Sequence, residues 1–239
     1  MKAMILAAGL GTRLKPFTDK HPKALANVNG KTLLQRNIEY LAKFGIEDVI
    51  VNVHHFSQQI IKTIKKNNGF GSNITISDES GSVLETGGGL KKAAWFFKDS
   101  DGPFVVMNSD VLTDMDLGEM IEQHNFIKPL ATLAVTSRHT SRYFLFDEMP
   151  YLCGWKNTNT GEQKISREAN KFFEKAFSGI HVISPEIFSL MKMEGKFSMV
   201  DVYLELAKTY AISAFDHSNT KFIDVGKPES ILKAEQLFK

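Results

Sequence analysis

The sequence predicts an α/β fold of three layers with a mostly parallel central sheet that ends mixed, and three observations carry that prediction. Apolar runs alternate with helix-periodic segments from residue 2 to about 126, the pattern of a parallel sheet wrapped by helices. Phe104-Val105-Val106-Met107 is the most uniformly apolar run and reads as a mid-sheet strand. After about Pro129 the spacing becomes turn-rich, as in a meander or mixed sheet.

The elements follow in order. Met4-Ile5-Leu6-Ala7-Ala8 is a buried strand that breaks into Gly9-Leu10-Gly11. A helix from about Thr32 to Phe44 places Leu33, Leu34, Ile38 and Leu41 on one face, and Gly45 ends it. Val49 to Val53 is the second strand, and Ser57 is expected to cap a helix carrying Ile60, Ile61 and Ile64 that stops at Asn67-Asn68-Gly69. Asn73 to Ser77 alternates as a strand, and Leu84-Glu85-Thr86-Gly87-Gly88-Gly89 opens a helix through Phe97. Phe104 to Met107 then delivers Asn108-Ser109-Asp110 to its carboxyl end, where open α/β sheets hold ligands. In the second half, 131–136, 142–146, 152–155, 177–183, 211–215 and 222–225 read as strands. Helices are expected from Ser184-Pro185-Glu186, from about Ser198 to Thr209, and from Pro228 to Phe238.

With 239 residues, 43% of them apolar, the chain has ample material for a packed core. No linker, repeat or low-complexity tract divides it, so the expectation is one domain over 1–239 with halves 1–128 and 129–239. A net charge of +2 supplies no general attraction to nucleic acid or to an anionic membrane surface, so any anion must be held by local charge. Cys153 is the single cysteine; it excludes an internal disulfide and fits a reducing compartment. Gly9, Gly11, Arg13 and Lys15 interrupt the first apolar run too early for a signal peptide, which gives a cytoplasmic expectation. No run approaches the roughly 20 apolar residues of a membrane span.

Two features carry chemistry. The first is the glycine loop: bare backbone N–H groups can approach an anion, and Arg13 and Lys23 add full positive charge. A glycine pair at a strand end also serves as a plain turn, but the two cations favour phosphate. The spacing is neither a Walker A loop nor the dinucleotide fingerprint, since Leu14 stands where a third glycine would be. The second feature is a pair of aspartates, Asp110 and Asp224, each ending a strand and able to share one sheet edge. Alone, either would read as a turn former; together, beside a cationic loop, they suit Mg²⁺, which takes one or two carboxylates and completes its shell with substrate phosphates. His54 and His55 have no partners at metal-site spacing. Cys153 lies in an apolar strand without a basic neighbour, Ser178-Gly179 lacks a nucleophile elbow, Phe172, Phe173 and Phe177 read as core, and Lys62, Lys65 and Lys66 as a solvated helix face.

Leu6-Ala7-Ala8-Gly9-Leu10-Gly11-Thr12-Arg13-Leu14-Lys15-Pro16 with Pro22-Lys23-Ala24-Leu25 resembles the signature of the sugar-1-phosphate nucleotidyltransferases. Leu84 to Gly89, Asn108 to Asp110, Phe177 to Ile180 and Phe222 to Gly226 match in the same order, so the resemblance spans essentially the whole chain. It is most similar to the N-acetylmuramate 1-phosphate uridylyltransferases and their heptose- or mannose-1-phosphate relatives, whose fold is Rossmann-like.

The resemblance implies a Mg²⁺-dependent transfer of a nucleotidyl group from a nucleoside triphosphate to a sugar 1-phosphate. By it, Leu6, Ala7, Ala8, Gly9, Gly11 and Thr12 wrap the triphosphate, Arg13 binds the departing pyrophosphate, and Lys23 bridges phosphates at the reacting centre. Glu85 also binds the nucleotide, Gly87 and Gly88 face the base, Asp110 and Asp224 hold the metal, and Glu174, Ser178 and Gly179 contact the sugar phosphate. Two residues depart from the family pattern: Ala24 replaces a proline and Ser109 a glycine. The residues agree independently, because a sugar 1-phosphate is mostly dianionic at neutral pH, so the reaction needs charge relief and alignment rather than a general base.

Two other readings stay open at this stage. A cytidylyltransferase acting on a phosphoalcohol such as phosphocholine shares the amino-terminal signature and needs an aromatic or acidic cage, for which Trp155, Tyr143 and Phe146 are available. A non-catalytic nucleotide-binding regulatory homologue is the other, although Arg13, Lys23, Asp110 and Asp224, which such proteins often lose, are all present. Base, sugar and oligomeric state are not legible.

Overall fold

Strand alternation in the first run decides the layering. Met4 and Leu6 point into one apolar cluster while Ala3, Ile5 and Ala7 point into another, so both faces of the sheet are covered. In this computed structural model, which describes residues 1–238, the first half contains β1 (Lys2–Leu6), β2 (Asn27–Val28), β3 (Lys31–Thr32), α1 (Leu33–Lys43), β4 (Asp48–Val53), α2 (Ser57–Lys66) and β5 (Asn73–Asp78). It continues with α3 (Glu85–Lys92), α4 (Ala94–Phe97), β6 (Phe104–Asn108), β7 (Val111–Thr113) and α5 (Leu117–Ile127). The second half holds β8 (Ala131–Thr136), β9 (Arg142–Phe146), β10 (Leu152–Asn157), β11 (Gln163–Ile165), β12 (Phe173–Ile183), α6 (Ile187–Leu190), α7 (Met199–Leu206), β13 (Ile212–Asp216), β14 (Phe222–Asp224) and α8 (Pro228–Leu237).

The main sheet runs β11-β10-β9-β12-β6-β1-β4-β5, with β8 joined to β12 and β13 to β8. From β6 to β5 every pairing is parallel; antiparallel pairing begins where β12 joins β6. The apolar run at Phe104 therefore lies mid-sheet, between β1 and β12. One face is covered by Leu34 and Ile38 of α1, Ile60 and Ile64 of α2, and Leu117 and Met120 of α5. The other is covered by Leu90 of α3, Phe97 of α4, Ile187 of α6 and Val202 of α7.

Several elements differ from expectation. Ser57 does not cap α2; Phe56 occupies the cap position at φ 53°, and Ser57 is the buried first residue of the helix. The helix expected over 85–97 breaks at Ala93 into α3 and α4. The segment after Pro185 winds only from Ile187 to Leu190. β12 starts at Phe173, because the polar Glu174 and Lys175 still pair with β9. α5 escaped the sequence reading; Asp116 caps it, accepting a hydrogen bond from Glu119 N–H at 3.2 Å. β7 and β14 pair apart from the main sheet, and that small ribbon shapes the site.

Candidate active site

The loop after β1 is folded by its apolar residues and leaves its polar ones outside. Leu14, Ala26 and Val28 are buried against Leu33, Leu112, Val225 and Ala234, and Ala24 packs into the core under β1. Gly11 adopts φ +62°, and a Cβ there would stand 2.9 Å from Thr18 Cγ2 and 3.0 Å from Lys23 Cβ, so only glycine lets the turn close onto Lys23. Thr18 Oγ1 donates to the Gly11 carbonyl at 2.9 Å. Gly9 has open space where a side chain would be. The chain end of β1 is fixed from below, because Ala7 N–H donates to Asn52 Oδ1 at 2.7 Å.

Asp110 arrives from the carboxyl end of β6 and Asp224 from β14. Asp224 stands opposite Val111 in the ribbon, and Val225 N–H donates to the Asp110 carbonyl at 2.8 Å, which holds the two aspartates together although they are distant in sequence. Lys23 Nζ is paired with Asp110 Oδ2, and Arg13 Nη2 lies 3.9 Å from Asp224 Oδ2. Burial, followed by the negative charge of Asp110, raises the Asp224 carboxyl above the usual carboxylate range.

These parts frame a cleft of about 430 Å³, a size that suits a nucleotide-sized ligand. Leu6, Ala7, Ala8, Gly9, Gly11 and Thr12 line it, with Arg13, Lys23, Glu85 and Asp110. Glu85 stands at the start of α3 and forms a 3.5 Å ion pair with Lys196. Gly87 and Gly88 lie off the wall: their N–H groups donate to the Phe197 carbonyl at 2.9 and 3.2 Å. A Cβ would strike the Phe197 ring at 2.5 Å from Gly87 and the Gly195 carbonyl at 2.2 Å from Gly88, so the bare backbone serves the packing of α3 on the 195–197 segment.

The three residues expected at the sugar are also set back. Ser178 is buried and hydrogen-bonded at 2.7 Å to His217 Nε2; Gly179, at φ +73°, lets the Asn108 side chain pass; Glu174 pairs with Lys156 at 2.6 Å. Asn52, which sequence reading left as a strand residue, and Asn108, which it placed at the ligand-holding end of β6, both line the cleft. Their signal was a polar residue at the carboxyl end of an otherwise apolar strand.

The donor set fits a hard divalent cation. Asp224 Oδ1 is buried without a hydrogen-bond partner, so the charge of nearby Lys23, Arg13 and Arg138 offsets its desolvation only in part. Among the described residues no group of three or more His, Cys, Asp or Glu gathers at one point, so substrate oxygens would have to complete the shell, as Mg²⁺ permits.

Fold and site together define an α/β protein with a cationic glycine loop facing a pair of strand-end aspartates. The chain belongs to the Nucleotidyl transferase family, whose profile matches residues 2–145. A mannose-1-phosphate guanyltransferase of Yarrowia lipolytica is 31% identical over all of this chain, which spans 64% of that relative's length. The N-acetylmuramate alpha-1-phosphate uridylyltransferase of Neisseria meningitidis serogroup B is 29% identical, over 99% of this chain and 98% of its own. Among solved structures, HddC from Yersinia pseudotuberculosis complexed with GMP-PN superposes with a TM-score of 0.78 at 28% identity, covering 100% of this chain and 99% of that one.

Proposed function

We propose that this protein transfers a nucleotidyl group from a nucleoside triphosphate to a sugar 1-phosphate, releasing pyrophosphate and a nucleotide sugar. The observation that carries the reading is the meeting of Lys23 with Asp110 and of Arg13 with Asp224 at the mouth of the glycine loop. A phosphate oxygen of the sugar 1-phosphate forms a bond to the α-phosphorus as the bond from that phosphorus to the bridging oxygen of pyrophosphate breaks. The attacking oxygen is already ionised, which is why the site needs no nucleophile activated by a base.

In this reading the loop from Leu6 to Thr12 holds the triphosphate, with Gly9 letting backbone approach the phosphates. Lys23, sheltered beside Asp110, balances charge at the reacting centre, and the more exposed Arg13 faces the leaving pyrophosphate. Mg²⁺ held by Asp110 and Asp224 would neutralise phosphate oxygens and reduce their mutual repulsion. Asn52 and Asn108 supply neutral polar groups to the same wall. We read the chain as a single domain in which 1–128 binds the nucleotide and 129–239 the acceptor. We read the reaction as cytoplasmic, where nucleoside triphosphates are abundant; among the described residues no helix is long and apolar enough to cross a membrane. Of the three residues open to the phosphoalcohol reading, Phe146 is buried in the core, Trp155 faces the Lys164 ammonium 5.6 Å from its ring centroid, and the Tyr143 hydroxyl accepts from Thr140 N–H, which favours the sugar 1-phosphate reading.

The test is pyrophosphate release from purified protein with Mg²⁺, a panel of UTP, CTP, GTP and dTTP, and a panel of sugar 1-phosphates. Turnover with at least one pair is expected, and Asp110→Asn and Asp224→Asn should each remove most of it while the protein stays folded. Silence across the panel would refute the reading.

A further inference from the structure

Beneath the glycine loop, three strand ends and a helix meet at a buried polar joint. Asn52 stands near the carboxyl end of β4 and Glu79 directly follows β5; they are 2% and 1% exposed. Asn52 Oδ1 accepts from Ala7 N–H at 2.7 Å, and Asn52 Nδ2 donates to Glu79 Oε1 at 2.8 Å. The amide has no freedom in this arrangement. Ala7 N–H can only donate, so Oδ1 must face it, and Nδ2 must then find an acceptor on the other side. Glu79 supplies that acceptor.

Glu79 is itself held. Its N–H donates to the Val53 carbonyl at 2.7 Å, and its own carbonyl accepts from Ser82 N–H at 3.0 Å and from His54 Nδ1 at 2.8 Å. His54, which has no partners at metal-site spacing, finds its place here. Helix α3 closes the joint: a Cβ at Gly89 would stand 2.8 Å from both Asn52 Nδ2 and Glu79 Oε1, so glycine lets the helix lie against the bond.

Packing alone does not account for a carboxyl at this point. Glu79 Oε2 is buried without a partner, and burial raises the carboxyl above the ordinary carboxylate range, against the bond from Asn52. An apolar pair of the same shape would fill the volume without that penalty. What the polar pair secures is position. Ala7 and Asn52 both line the nucleotide-sized cleft, and Ala7 is where β1 gives way to the glycine loop.

We propose that Glu79 is a positioning residue for the triphosphate: acting through Asn52, it fixes the end of β1 and with it the place of the glycine loop in the cleft. The assignment rests on the nucleotidyl-transfer reading for its ligand. It asks of Glu79 an acceptor oxygen rather than a charge.

The experiment titrates UTP, CTP, GTP and dTTP, each with Mg²⁺, into the purified protein by calorimetry and carries the tightest binder through the variants. Glu79→Leu leaves Asn52 Nδ2 without an acceptor and should weaken Kd about tenfold, whereas Glu79→Gln keeps one and should stay within about threefold of wild type. Asn52→Asp still accepts from Ala7 N–H but sets a second carboxylate against Glu79, and should weaken Kd by about tenfold or more. Joined with Glu79→Gln, which can then donate, it should recover to within about threefold. That recovery separates positioning from packing, and it serves where Glu79→Leu does not fold. Variants that lose Tm yet keep the wild-type Kd, a Glu79→Gln as weak as Glu79→Leu, or a paired substitution without recovery would overturn the role of Glu79. Pyrophosphate release with sugar 1-phosphates, read on the same samples, keeps the two readings apart. A wild type that binds a triphosphate without turnover refutes the transfer reading while the Kd series still decides on Glu79; one that binds none refutes both.

Discussion

Gly226 makes the room in which Arg13 approaches Asp224: a Cβ at that glycine would stand 3.0 Å from Arg13 Nη2 and 2.6 Å from Asp224 Oδ1. The contact with the carboxylate is closer than a real Cβ tolerates and that with the guanidinium is tight, so Gly226→Ala must push one or both aside. We expect kcat/KM for the triphosphate to fall about 10- to 100-fold, the scale of a misplaced charged contact, with little change in Tm because Arg13 is exposed. Steady-state kinetics beside a thermal melt would check it, and unchanged kinetics would show that the pairing plays no part in turnover.

Asp224 should make the metal-free protein less stable as pH rises above the ordinary carboxylate range. Its folded pKa is raised by burial and then by Asp110, so the unfolded chain gives up the proton more readily than the folded one. Stability from this group is therefore present below the ordinary carboxylate pKa and is lost as pH climbs through the raised folded value. Asp224→Asn should melt higher than wild type at pH 8 without metal, match it near pH 3, and still lose most activity. Identical melting curves at both pH values would contradict this.

Three buried histidines predict the opposite sign under acid. Burial lowers His124 to about 4, His181 to about 3 and His217 to about 4. Unfolded histidine titrates near 6.5, so below that pH the unfolded state binds more protons and stability falls until the folded values are reached. Each should cost about 2 kcal/mol at pH 5 relative to pH 8, an order-of-magnitude figure from linkage. Urea unfolding at the two pH values measures the sum, and His124→Gln, which keeps a group able to bond Thr132 Oγ1, should flatten the profile.

Gly88 should tolerate no side chain. Its Cβ would lie 2.2 Å from the Gly195 carbonyl oxygen, which is backbone and cannot swing away, so Gly88→Ala must separate α3 from the 195–197 segment. A loss of about 3 kcal/mol or more in chemical denaturation is expected, in the range of overpacked cores. Gly81→Ala, where nothing stands within reach, is the control and should be close to neutral.

The parallel half of the fold was legible because fully buried strands write themselves as apolar runs: β1, β4 and β6 show little else. The loop cations and the two aspartates were legible because glycines beside charge at strand ends leave few structural alternatives. α5 was missed because its exposed turns hide a narrow buried stripe of Leu117, Met120 and His124. The triple glycine was read as ligand-facing because composition marks close approach without saying to what; here the partners are Phe197, Gly195 and the Asn52–Glu79 pair.

The two-stranded ribbon of β7 and β14 has a consequence for how the protein is made. The carboxylates meet only when a late segment of the chain docks on an early one, and the same late segment brings Val225 and Ala234 onto Leu14 of the glycine loop. The loop and the aspartate pair therefore gain their packing together, and a chain cut off before β14 should lack both.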